Sequence, residues 1–537
     1  MNLLACTLLA CTRRVLCAAL AALMLLPAAN ARTALLSATL SVRVDGGVVR
    51  GAIENHVIAF KGIPYAAPPV GALRWAPPQP VTPWTGVRPA VHFGPDCAQL
   101  PTPGDDAPLR TASKESCLYI NVWRPQARAA RGLPVMVWIY GGGFVDGGTS
   151  PAVYEGTQFA RDGVLLVSFN YRLGNFGFFA FPALDRRAAG ALRGDYTFMD
   201  QIAALRWVRR NAASFGGDPR NVTIFGESAG GMSVNALLMT PLARGLFAKA
   251  IIESGGGRGN ILRERPLRGS PDSAQAMGVR LARHLGVEGE GEDALARLRA
   301  LPAATLIDGL NMATMDSDHT YVGGPIVDGL LYPGAPTKVY AAGGGARVPV
   351  MIGANTDEIG KLTAGSLPAL WKSFGPDSGA ARRLYDPDGQ RTLQEVSAMA
   401  GSDQWMVEPA RAIARLLSAR GQHVYEYRFG YVATARRNML SGAPHASEIP
   451  FVFDTVAAHY GKATSRADEA MARAVHSYWV AFARTGRPDA RGEPVWPEYR
   501  ESTDELMSFT HRGPVPERDP WNRRLDIAQR AAERAGH

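Results

Sequence analysis

The chain has 537 residues, 46% of them hydrophobic, and no internal repeat, long linker or charge block divides it, so it can bury one large core. Its formal net charge of +10 is carried mostly by arginines scattered among acids, and no basic run with interleaved aromatics marks a nucleic-acid-binding surface. After residue 31 no stretch supplies the ~18 consecutive apolar residues of a membrane span.

Residues 1–31 stand apart. Arg13 and Arg14 precede an apolar run over 15–26, followed by Pro27 and the small-residue pattern Ala29, Asn30, Ala31, which predicts a secretory signal cut after Ala31 and export to the periplasm or the medium. Cys11 lies before the charged pair rather than after the apolar run, so lipid attachment is not the expectation. Removing the signal takes Cys6, Cys11 and Cys17 and leaves Cys97 and Cys117, an even pair that predicts a disulfide in an oxidising compartment. Such a bridge contributes ~3 kcal/mol in the chain-entropy description. Residues 32–537 then read as a single catalytic domain.

Along that domain, 37–49 alternates like a β-hairpin and 57–65 continues as a strand. The near-continuous apolar runs 134–140 and 164–170 predict strands buried on both faces. Helical spacing over 199–209 follows, then a strand through Val222, Ile224 and Phe225, helical composition over 232–239, and further strands at 250–254, 348–353 and 424–429. Strands alternating with helices predict an α/β protein with a large, mostly parallel central sheet flanked by helices. The helix-rich stretch 270–310 and part of 365–420 are candidate caps over a site, and 376–391 reads as irregular.

The chemistry starts at Gly226, Glu227, Ser228, Ala229 and Gly230. A Gly-x-Ser-x-Gly sequence between a strand and a helix lets the backbone turn sharply at the serine and lifts its hydroxyl above the sheet. Ser228 is the candidate nucleophile. It needs a base, and His445 fits by chain order: it lies in a loop after the last long strand, whereas His284 and His476 fall within helical sequence. The base needs a carboxylate to hold its ring, and Asp357 or Glu358, just beyond the strand 348–353, is placed to supply it. Spacing alone does not choose between them. An oxyanion hole made of backbone N–H groups is expected from Gly142 and Gly143, in the run Tyr140 to Phe144, together with Ala229. His445 and Glu448 have metal-pair spacing, but no further ligands accompany them, so no metal or organic cofactor is expected.

These residues resemble the type-B carboxylesterase family, which includes bacterial p-nitrobenzyl esterases and the cholinesterases. The resemblance rests on Phe60-Lys-Gly-Ile-Pro-Tyr65, Arg74, Glu115-Ser-Cys-Leu-Tyr-Ile-Asn121, Trp138-Ile-Tyr-Gly-Gly-Gly-Phe144, Asn170-Tyr-Arg-Leu-Gly174, Phe215-Gly-Gly-Asp-Pro219, the Ser228 motif, Gly353-Ala-Asn-Thr-Asp-Glu358 and His445. It implies an α/β-hydrolase fold with helical insertions over the site. It also implies a small-molecule ester substrate, Glu358 as the acid, the Cys97–Cys117 bridge, and ion pairs joining Arg74 to Glu115 and Arg172 to Asp200. Glu227, Glu448 and Ser254 are implied as supporting groups around the triad. Two departures stand out. No tryptophan lies between Cys97 and Cys117, where cholinesterases carry one to stack on choline, and Ile359 follows the acid where the family often has a small residue. The expected activity is ester cleavage through an acyl-enzyme. Amide, carbamate or thioester cleavage is the alternative within hydrolases, and a non-catalytic binding protein is the alternative outside them.

Overall fold

The computed structural model describes residues 40–127, 131–185, 192–259, 261, 264–317 and 320–536; the stretch 1–31, expected to be a secretory signal, lies outside them. Its centre is one sheet of eleven strands. In chain order these are β1 (Ala52–Glu54), β2 (Val57–Pro64), β3 (Tyr119–Pro125), β4 (Leu133–Ile139), β5 (Leu165–Phe169), β6 (Gly217–Glu227), β7 (Lys249–Glu253), β8 (Val350–Asn355), β9 (Val424–Phe429), β10 (Glu505–Thr510) and β11 (Gly513–Arg518). Their order in space is β1-β2-β3-β5-β4-β6-β7-β8-β9-β10-β11. The seven strands from β5 to β10 run parallel, and both margins are antiparallel. Every residue of β5, β7, β8 and β9 is buried, and in β5 this burial on both faces is the near-continuous apolar run seen over 164–170.

The strand order reverses at β4, because the chain places β5 on one side of it and β6 on the other. In parallel sheets such a reversal opens a crevice beyond the carboxyl ends of the two diverging strands. The glycine loop leaves β4 and the Ser228 turn leaves β6 at that crevice, with Phe225 opposite Trp138 and Gly226 opposite Ile139.

The longer helices are α1 (Tyr196–Asn211), α2 (Ala229–Met239), α3 (Ala274–His284), α4 (Glu292–Ala300), α5 (Leu367–Ser373), α6 (Ser378–Tyr385), α7 (Leu393–Ser402), α8 (Glu408–Ala419), α9 (Arg466–Thr485) and α10 (Asn522–Arg534). The stretch expected to be irregular, 376–391, contains α6. Pro376 sits in the 3-10 turn Gly375–Asp377 that leads into that helix, where a proline is tolerated, and Asp377 is held by Arg530 and Arg534 of α10. Leu370, Trp371, Phe374, Ala381, Tyr385, Val396 and Ala400 form with Ile527 a small apolar cluster of their own. Tertiary packing supplied the helix that the local sequence did not advertise. His476 lies within α9, as its helical sequence predicts.

Cys97 and Cys117 are bonded, with S–S 2.06 Å. Arg74 meets Glu115 through two bonds of 2.6 Å and donates to the carbonyls of Leu298 and Leu301, capping the end of α4. Arg172 grips Asp200 with two bonds of 2.7 Å and donates its backbone N–H to the same carboxylate at 3.1 Å. Both partners are sealed from solvent, so removing one leaves the other charged and unpaired. Arg172→Met is therefore expected to lower unfolding free energy by ~3–5 kcal/mol, read as a shift of the urea midpoint. A midpoint equal to wild type would refute this account of the pair.

Candidate active site

Ser228 stands between β6 and α2 with φ 57° and ψ −122°, a conformation that non-glycine residues avoid. Its N–H is tied to the Glu253 carbonyl at 3.0 Å and its carbonyl accepts from Met232 at 2.8 Å, so the surroundings hold the strained turn in place. The flanking glycines are required by close approach. A Cβ on Gly226 would lie 2.5 Å from the Ile139 carbonyl oxygen, and one on Gly230 would lie 2.0 Å from the same atom. No side chain fits at either position.

The two candidate acids separate clearly. Asp357 is exposed, while the Glu358 side chain is fully buried beside His445. Glu358 Oε2 lies 2.5 Å from His445 Nδ1, its Oε1 accepts from Ser254 Oγ and from the Asn355 N–H at 2.8 Å, and its own N–H donates to Ser402 Oγ at 3.1 Å. The acid loop and the base loop are stitched by backbone: Asp357 N–H donates to Ala443 and His445 N–H donates to Asp357, at 2.9 and 3.1 Å. Asn355 adds a bond to the Pro444 carbonyl and another to Glu448. Ile359 is 38% exposed and leaves this arrangement undisturbed.

On its other side His445 Nε2 lies 3.2 Å from Glu227 Oε1, but without hydrogen-bond geometry. Among the described residues neither Nε2 nor Ser228 Oγ has a hydrogen-bond partner, and contacts of this kind often tighten only when substrate is bound. Burial opposes ionisation of Glu358, yet the His445 charge and the hydrogen bonds from His445, Ser254 and Asn355 outweigh it and hold the carboxyl below its usual range. Burial disfavours the His445 imidazolium, but the carboxylates of Glu227 and then Glu358 reverse this and raise it to about 10. Burial pushes the Glu227 carboxyl well above its usual range, against the pull of His445. Each proton taken by Glu227 withdraws the largest charge holding the imidazolium, which brings neutral imidazole back toward neutral pH.

Gly142 and Gly143 have φ 102° and 57°, values suited to glycine, and the loop passes directly over the serine: a Cβ on Gly141 would lie 3.0 Å from Ser228 Cβ. Among the described residues the N–H groups of Gly142, Gly143 and Ala229 donate to no partner. Met312 and Met315 rest on Gly143, where a Cβ would lie 2.4 Å and 3.1 Å from their sulfurs. Sequence reasoning missed these two, and also Asn355 and Ser402 as supports of the acid. Asn355 falls inside a recognised motif, but Ser402 and the methionines lie far along the chain with no local signal. Among the described residues no group of three or more His, Cys, Asp or Glu is arranged to hold a metal ion, and no helix is long and apolar enough to cross a membrane.

A mostly parallel sheet whose switch point carries a strained serine defines the class, the α/β-hydrolase fold. Within it, the model of the carboxylesterase family matches residues 38–374 and 379–524, and the chain belongs to that family. It is similar to a fumonisin B1 esterase of Sphingopyxis macrogoltabida, 34% identical over 486 residues that cover 87% of this chain and 85% of the relative. A para-nitrobenzyl esterase of Bacillus subtilis is 35% identical over 497 residues, covering 87% and 94%. A solved structure of a PNB esterase superposes with TM-score 0.74 at 34% identity, covering 91% of this chain and all of that one. The protein is a carboxylic ester hydrolase.

Gly230→Ala forces a methyl against the Ile139 carbonyl and is expected to cost ~1–3 kcal/mol or to prevent soluble expression, read from yield and thermal midpoint. A variant as stable as wild type would show that the turn has room the structure does not display.

Proposed function

We propose that Ser228 attacks the ester carbonyl while His445 removes its proton, that Glu358 orients and charges the imidazole, and that Gly142, Gly143 and Ala229 bind the oxyanion. His445 then protonates the leaving alcohol and activates the water that frees the acid from the acyl-enzyme. The observation that carries this reading is the 2.5 Å contact of His445 with the buried Glu358, at the same crevice as the strained Ser228 turn. Glu227, Glu448 and Ser254 act on the triad through charge and hydrogen bonds. The enzyme works after export, once the segment ending at Ala31 is removed, on small-molecule esters. The lack of a tryptophan in the disulfide loop argues against choline esters.

Ser228→Ala is expected to abolish covalent labelling by an organophosphonate and the burst of p-nitrophenol from short p-nitrophenyl esters while the melting curve is kept. His445→Ala should lower kcat by ~10³-fold or more. Near-normal turnover in either variant would sink the assignment.

The base must be neutral to act, so kcat/KM rises with pH as the imidazolium loses its proton. Glu227 supplies the largest charge raising that pKa, and Glu227→Gln removes it. The acidic limb of the pH profile should move to lower pH in this variant; an unchanged or more alkaline limb would contradict the electrostatic role given to Glu227.

A further inference from the structure

Strand register places a row of side chains beneath Ser228. Glu227 of β6 is opposite Glu253 of β7, Glu253 is opposite Gly353 of β8, and Gly353 is opposite Tyr427 of β9. Register partners on adjacent strands point to the same face, so the three side chains share a face, and the missing side chain at Gly353 makes room for Tyr427. The tyrosine ring leans into that room, since a Cβ on Gly353 would lie 2.4 Å from the ring. Trp479 of α9 touches both neighbours, donating its indole N–H to Glu253 Oε1 at 2.7 Å and packing on the Tyr427 ring at 5.4 Å.

The row is sealed from solvent but not internally satisfied. Glu253, Tyr427 and Glu448 have no exposed surface. Among the described residues, Glu253 Oε2, Tyr427 Oη, Glu448 Oε1, Glu227 Oε1 and Asn355 Oδ1 lack hydrogen-bond partners. A buried polar atom left unpaired is costly, so the row calls for a small ligand that both donates and accepts, which is the chemistry of water. The groups are close enough to sense one another: after burial, the Tyr427 phenol is raised by Glu253, Glu448, Glu358 and Glu227 in turn.

Charge makes the second argument. Glu227, Glu253, Glu358 and Glu448 are all buried, and the cation acting on Glu227 and Glu358 is the single imidazolium of His445. Four buried carboxylates cannot all ionise around one cation, so protons must be shared among them. Glu358 keeps its charge through its hydrogen bonds and His445. Glu253 has only the Trp479 N–H to favour its charged form, and burial followed by the Glu227 charge raises it to about 8; burial followed by the Glu253 and Glu358 charges raises Glu448 to about 8 as well, but Glu448 keeps the Asn355 hydrogen bond.

We propose that Glu253, Tyr427 and Glu448 line a buried, water-holding compartment behind the triad, and that Glu253 holds a proton there at neutral pH. Glu253 is a positioning residue in this role: its proton keeps the negative charge facing His445 to what one imidazolium can balance. A proton passed through water from the Glu253 acid to the Glu448 carboxylate leaves one acid and one carboxylate, with no change in total charge. The inference rests on the reading of His445 as the base.

Infrared spectroscopy of the full chain at neutral pH in H2O and D2O tests it. Wild type should show a protonated-carboxyl C=O band that shifts in D2O, and Glu253→Gln, whose amide oxygen still accepts from Trp479, should lose part of that band. Wild-type band intensity in a folded variant would overturn the assignment to Glu253. Should the variant not fold, atomic-resolution or neutron diffraction from wild type decides: ordered water on Glu253 Oε2 and Tyr427 Oη supports the compartment, and its absence overturns it. Neither readout needs turnover, so failure here is distinct from failure of the serine mechanism, which Ser228 labelling tests separately.

Discussion

The site hangs on the contact between Glu358 and His445, which joins two loops that leave neighbouring strands. β8 and β9 run parallel, and the pairing continues past their ends as Asp357 exchanges backbone bonds with Ala443 and His445. The sheet ladder is thus extended by the same hydrogen-bond logic into the chemistry. Asn355 closes the arrangement, with its N–H on Glu358 and its side chain on Pro444 and Glu448. A carboxylate this buried is stable only because every one of these donors is already in position before substrate arrives.

On the opposite side of the crevice the controlling quantity is space rather than charge. β4 and β6 lie so close at their carboxyl ends that neither Gly226 nor Gly230 has room for a methyl group against the Ile139 carbonyl. That closeness brings the glycine loop over Ser228, where the N–H groups of Gly142, Gly143 and Ala229 donate to no partner among the described residues. One side of the crevice is thus set by space and the other by charge.

Much of this was legible in the chain. Ser228 announced itself because glycine spacing reports backbone geometry, and the buried strands did so because burial on both faces removes polar interruptions. The choice of Glu358 over Asp357 was not legible from spacing, since adjacent residues differ only in which way the turn sends them; family resemblance pointed to Glu358, and the structure shows Asp357 turned outward. Helix α6 was missed because its stability comes from α10, some 140 residues on, rather than from its own sequence. The row of Glu227, Glu253 and Tyr427 was likewise out of reach, because register between strands distant in sequence is what assembles it.

The alliance of α10 with the 367–402 helices also reaches the site. Ile527 completes their apolar cluster, Arg524 binds Asp403, and Arg530 and Arg534 bind Asp377, so a helix some 150 residues further along the chain holds these elements together. Ser402, whose hydroxyl accepts from the Glu358 N–H, stands at the end of α7 among them. The packing of α10 is thereby part of the setting of Glu358.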